Sequence, residues 1–179
     1  MIVHVLFSFA ITMLTSEAAD EHKLVPAIEF KRVAAILAER GYRLVRLNDL
    51  NKLARDEFHH TYPFRSSPGL LCGHFSVASQ DCAALAIRKE HEEKGIVALF
   101  VVRGVDKKPS TLLLEDYTDW DGRKDHIFLE FRKQGALRDS AGGHVKQMHF
   151  DGFEVVFFEQ GSRVYYWDHS RWHTVQTSD

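Results

Sequence analysis

The sequence predicts an α+β fold, with an N-terminal helical segment packed on a curved antiparallel β-sheet domain. Three observations carry that expectation. A helical period runs from Pro26 to Gly41, no useful helical period follows residue 65, and beyond residue 69 short apolar runs alternate with turn signals. At 179 residues the chain is one domain, or one domain with a small appendage. A chain of this size can hold a core without a metal or a disulfide. Its 45 % hydrophobic and 27 % charged residues are globular values, which exclude disorder, collagen and coiled coil.

Taken in order, Phe30, Val33, Ala34 and Leu37 recur at helical spacing and give one apolar face. Pro26 suits the first turn and Gly41 the position past the end, so a helix is expected over about 27–40. Tyr42 to Leu47 alternates as a short strand would, and Asn48 then offers an N-cap for a second helix carrying Leu50, Leu53 and Ala54. The segment 59–69, with two prolines, two serines and a glycine, reads as a loop. Strands are then expected at 70–75, 82–88, 96–103, 111–115, 126–131, 146–150, 153–159, 163–167 and 172–176. Asp151-Gly152, between two apolar runs, is the strongest hairpin signal. The expected organisation is a signal peptide over 1–18, helices over 19–65 and an antiparallel β-domain over 66–179, the last two forming one unit.

The signal peptide rests on the apolar run Val5–Leu14, broken only by Ser8 and Thr12. It is too short to span a bilayer, which needs about 20 residues, but has the length of a signal-peptide core. Ser16 and Ala18 supply small residues for cleavage after Ala18. Export to the periplasm follows as an expectation, with no stable membrane insertion. Lys plus Arg is 23 and Asp plus Glu is 25, a net charge of −2, so no basic excess points to nucleic acid. In an exported chain the pair Cys72 and Cys82 suggests one disulfide; two buried free thiols are the alternative.

The stretch Cys72-Gly73-His74-Phe75-Ser76-Val77-Ala78-Ser79-Gln80-Asp81-Cys82-Ala83-Ala84-Leu85 resembles a degenerate FG-GAP (integrin-α-type) repeat, a strand, a calcium loop and a second strand. The C-terminal run from Val164 through YYWD to Ser178-Asp179 is similar to the tail of exported proteobacterial proteins of unknown function that carry a single such repeat. The resemblance implies a β-hairpin but not the ion. His74, Ser76 and Ala78 stand at family ligand positions and only Asp81 persists, whereas calcium takes six to eight oxygen ligands, several from carboxylates.

Other candidate chemistry is sparse. Asp116, Asp119, Asp121 and Asp125 lack the glycine and glutamate positions of an EF-hand and read as a solvated turn. The eleven histidines include no short-range metal-ligand pair. Ser162 is not on a nucleophile elbow, and neither cysteine sits at a predicted helix start. No catalytic residue, metal or cofactor is expected. What stands out is the last hairpin, where Tyr166, Arg171, Trp172 and His173 belong to or adjoin the types enriched in binding hot spots. Tyr165 and Trp167 fall on the face opposite Tyr166. The expected role is a non-catalytic protein-binding domain, in concrete form an immunity protein neutralising a toxin delivered to the periplasm. The alternative is a metal-dependent envelope hydrolase, which requires at least three of His74, Asp81, Asp119, Asp121, His144, His149 and His173 to converge.

Overall fold

The computed structural model describes residues 25–178 apart from 79, 97, 106, 107, 121–123, 141 and 142; the expected signal peptide lies outside the described residues. Two antiparallel sheets face each other across the main core. The first contains β1 (Tyr42–Leu44), β2 (Leu70–Gly73), β3 (Asp81–Arg88), β4 (Ala98–Arg103) and β5 (Ser110–Asp116). Their order is β1-β3-β4-β5, with β2 also paired to β3. The second holds β6 (Ile127–Arg132), β9 (Gly152–Phe157), β10 (Gly161–Asp168) and β11 (Arg171–Ser178), in the order β11-β10-β9-β6. A separate ribbon pairs β7 (Gly135–Arg138) with β8 (Val145–Met148). Two helices, α1 (Ala27–Ala38) and α2 (Lys52–Thr61), complete an α+β architecture with its helices N-terminal.

Strand alternation explains the layering. Leu71, Ala83, Leu85, Leu99 and Val101 point inward to meet Ile127, Phe153, Val155 and Tyr165 from the second sheet. The other face of the first sheet shows Leu70, Cys72, Ala84, Phe100 and Val102, which pack under Val33 and Leu37 of α1. On the outside of the second sheet, Val164, Tyr166 and Val175 are covered by Leu137 of β7 and Met148 of β8. Cys72 and Cys82 are cross-strand partners and form a disulfide. Among the described residues no helix is long and apolar enough to cross a membrane.

The exposed edge of β6 is tied off. Leu129 donates its N–H to Pro68 O at 2.9 Å, and Arg65 Nη1 donates to Leu129 O at 3.0 Å, so this strand presents fewer unpaired groups to a stray chain.

Several details differ from the sequence reading. Asn51, not Asn48, caps α2, its Oδ1 accepting from Ala54 N at 3.0 Å. Residues 47–49 form a separate 3-10 turn, because Asp49 is held by Arg43 at 2.7 Å and by the Arg46 amide at 2.7 Å. Helix α2 also runs into the expected loop as far as Thr61, anchored by buried Phe58. Strand β7 is present where no strand was expected. Finally, Asp151-Gly152 makes no hairpin turn: β8 pairs with β7 and β9 with β6 and β10. A Cβ at Gly152 would stand 2.8 Å from Tyr165 O, so the glycine serves a close strand approach. Asp151 Oδ1 instead accepts from Gln134 N at 3.1 Å, bracing the passage from β6 to β7.

Candidate functional site

The loop between β2 and β3 and the turn between β10 and β11 meet at one end of the molecule. The first is drawn inward by Phe75, fully buried against Phe153 at 5.3 Å and Phe131 at 6.1 Å. A Cβ at Gly73 would lie 2.9 Å from the Phe75 ring, so glycine makes room for that inward fold. Behind Phe75, Ser76 Oγ hydrogen-bonds Asp81 Oδ2, and Arg103 Nη2 donates to Ser76 Oγ at 3.4 Å. Asp81 and Arg103 are cross-strand partners on β3 and β4. His74 is exposed, while Ser76 and Asp81 are buried, so the polar interior of this loop closes on Arg103.

Arg103 links this loop to the second sheet. Its guanidinium lies 4.8 Å from the Trp167 ring centroid, a cation–π distance. Trp167 meets Trp172 edge-on at 5.7 Å, and Trp172 rests on Phe153 at 5.5 Å. The hairpin that aligns them turns through His169, in the left-handed region at φ 53°, with Ser170 N donating to Asp168 O at 2.6 Å. Trp167 and Trp172 are thereby cross-strand partners, as are Tyr166 and His173.

The four residues singled out from sequence separate by depth. Arg171 is exposed, Trp172 and His173 are half-buried, and Tyr166 is only 5 % exposed. Tyr166 lies under the β7–β8 ribbon and stacks on His173 at 5.4 Å. Burial pushes its phenol pKa up, with the Asp168 charge adding to the effect. It supports the surface from beneath. Arg171 Nε donates to His173 Nε2 at 3.3 Å, which ties exposed Arg171 to half-buried His173. Asp81 and Arg103 complete the group; both needed the two sheets to be assembled before their relation to Trp167 was visible.

Polar atoms here exceed their partners. Asp81 Oδ1, Arg103 Nε, Trp167 Nε1 and Trp172 Nε1 are all buried without a hydrogen bond. Each such atom costs about 1–3 kcal/mol if left unpaired, and these four fall within one cluster.

A second polar cluster occupies the uncovered half of the second sheet's outer face. Glu130 and Glu154 are cross-strand partners. Arg132 bonds Glu154 Oε2 through both Nε and Nη2, and Thr177 Oγ1 donates to Glu154 Oε1 at 2.7 Å. Glu154 is 1 % exposed, enclosed and fully bonded, so its role is structural.

Among the described residues no three His, Cys, Asp or Glu side chains stand together closely enough to hold a metal; Asp121 lies outside them. Asp116 closes a turn, its Oδ1 accepting from Thr118 N at 2.9 Å. No protein-family model, curated protein or solved structure matches the chain.

Proposed function

We propose that the chain is an exported, non-catalytic protein-binding domain that meets its partner with the β10–β11 end. The observation that carries this is the clamp Arg103–Trp167–Trp172 behind exposed Arg171. Trp and Arg anchors held rigid by packing lose little conformational entropy on binding, which is the pattern of a hot spot. Exposed Arg171, bonded to His173, is the cation this end offers to a partner carboxylate, and the indoles packed beneath it fix the hairpin that carries it.

Placement in the periplasm rests on the apolar run Val5–Leu14 and is compatible with the disulfide, a bond of oxidising compartments. The concrete partner is a toxin that this domain neutralises there. Kinship with the exported proteins that carry a degenerate FG-GAP repeat belongs to the same proposal.

Capture with tagged full-length chain from the native host tests the reading. The expected result is one protein partner lost with Arg171→Glu and with Trp172→Ala while far-UV circular dichroism is unchanged. A defined small ligand in place of any protein, or capture indifferent to both changes, overturns it. Intact mass of the natively made material checks export: the expected chain begins at Ala19, and one recovered from the cytosol still beginning at Met1 removes the proposed location.

A further inference from the structure

Away from that end, a cavity of about 620 Å³ opens between the start of α1, the turn after β1 and the segment joining α2 to β2. Small-molecule sites commonly span about 300–1,000 Å³, with mostly apolar walls and a few placed polar groups. Phe30, Leu47 and Leu70 supply apolar wall. The charged lining is of one sign: Lys31, Arg46 and Arg65 contribute, and no carboxylate does.

Arg65 is held in place as a head-group receptor would be. Its Nη1 donates to Leu129 O at 3.0 Å and its Nη2 reaches Ser67 O at 3.4 Å. The rings of Phe58 and Tyr62 flank it at 5.0 and 4.7 Å. Its hydrogen bonds go to carbonyls. Burial pushes its pKa down to about 10, against the opposing charges of Tyr62 and Glu130, so it remains a cation at neutral pH.

Ser67 supplies an independent sign of a ligand. It is 8 % exposed, its Oγ is buried without a partner, and it lines the same cavity. The start of α1 lies at the rim, where Pro26 provides no side-chain cap and Glu29 in the first turn offsets the helix dipole; the first intrahelical bond is Phe30 N to Pro26 O, which leaves first-turn amides there.

We propose that this cavity binds an anionic amphiphile, a carboxylate or phosphate head on an apolar body. The single-sign lining selects the head, the apolar wall selects the body, and Ser67 Oγ gives the head a hydrogen bond that no protein group supplies. The proposal is independent of the partner-binding end.

Calorimetric titration of the full chain with dodecanoate, below its micelle-forming concentration, tests this. Saturable one-to-one binding is expected, with dodecylammonium and dodecanol at least ten-fold weaker. The double change Lys31→Glu with Arg46→Glu, both at exposed positions, should weaken dodecanoate at least ten-fold without altering the circular dichroism spectrum. Ser67→Ala should weaken it several-fold. Absence of saturable dodecanoate binding overturns the proposal. Equal affinity for dodecylammonium, or indifference to the double change, overturns it also. So does adsorption to phosphatidylglycerol vesicles without saturable dodecanoate binding, which would assign the charge to a surface rather than a cavity.

Discussion

The two outer faces of the sandwich are built by opposite rules. The first sheet's outer face is apolar and is closed by one amphipathic helix, α1, which lays Val33 and Leu37 over Leu70, Phe100 and Val102. The second sheet's outer face is divided. The β7–β8 ribbon covers Val164, Tyr166 and Val175, and the remainder carries Glu130 and the bonded set Arg132, Glu154 and Thr177, of which Glu154 is buried and Arg132 reaches solvent. A full helix can seal a face. A two-strand ribbon cannot, and the sheet manages the remainder with bonded polar side chains.

Changes on the two faces should therefore differ in size. Leu37→Ala removes a fully buried side chain from between a helix and a sheet, and should cost about 3–4 kcal/mol in urea unfolding. Met148→Ala, under the ribbon, should cost about 2 kcal/mol, because a small ribbon can settle into the space. Equal costs would mean that the ribbon is as rigid a cover as the helix.

Arg132→Met strips Glu154 of its cation. Losing one partner of a buried pair costs roughly 3–5 kcal/mol. Arg132 keeps 46 % of its side chain exposed, so about 2 kcal/mol is expected, with stability recovered when Glu154→Gln is added. No recovery in the double variant would show that Arg132 acts through packing alone.

The smallest effect should be one of pH. Burial raises the Glu130 pKa above the ordinary carboxyl value, against the pull of the Tyr62 hydrogen bond. The folded state therefore takes up that proton at a higher pH than the unfolded state. The stabilisation is fully present below the ordinary carboxyl pKa and is lost as pH rises through the folded value. Glu130→Gln, which never ionises, should gain in Tm relative to the parent between pH 4 and pH 7. A difference that stays flat over that range would remove Glu130 as the titrating group.

The division between faces also accounts for what could be read in advance. Helix α1 was legible because one face must meet a sheet, which enforces the spacing of Val33 and Leu37. Strands β3 and β4 were legible as continuous apolar runs because both of their faces are covered. Strand β7, Gly-Ala-Leu-Arg, buries only Leu137, and glycine and alanine favour strands poorly, so it left no pattern. Asp151-Gly152 misled because a glycine needed for close packing has the same letters as one needed for a turn. At the candidate site, Arg171, Trp172 and His173 were visible as a hairpin, while Asp81 and Arg103 join them only through the packing of two sheets. Lys31, Arg46 and Arg65 are separated in sequence and become one group only when α1 docks.

Strand β3 has β1 and β2 along one flank and β4 along the other. Leu85 fills the gap between the first two, its N–H donating to Gly69 O and its carbonyl accepting from Val45 N. The amides along this spine should be among the last to exchange with deuterated solvent. In a chain emerging from its amino end, the spine stays incomplete until residue 103 has appeared.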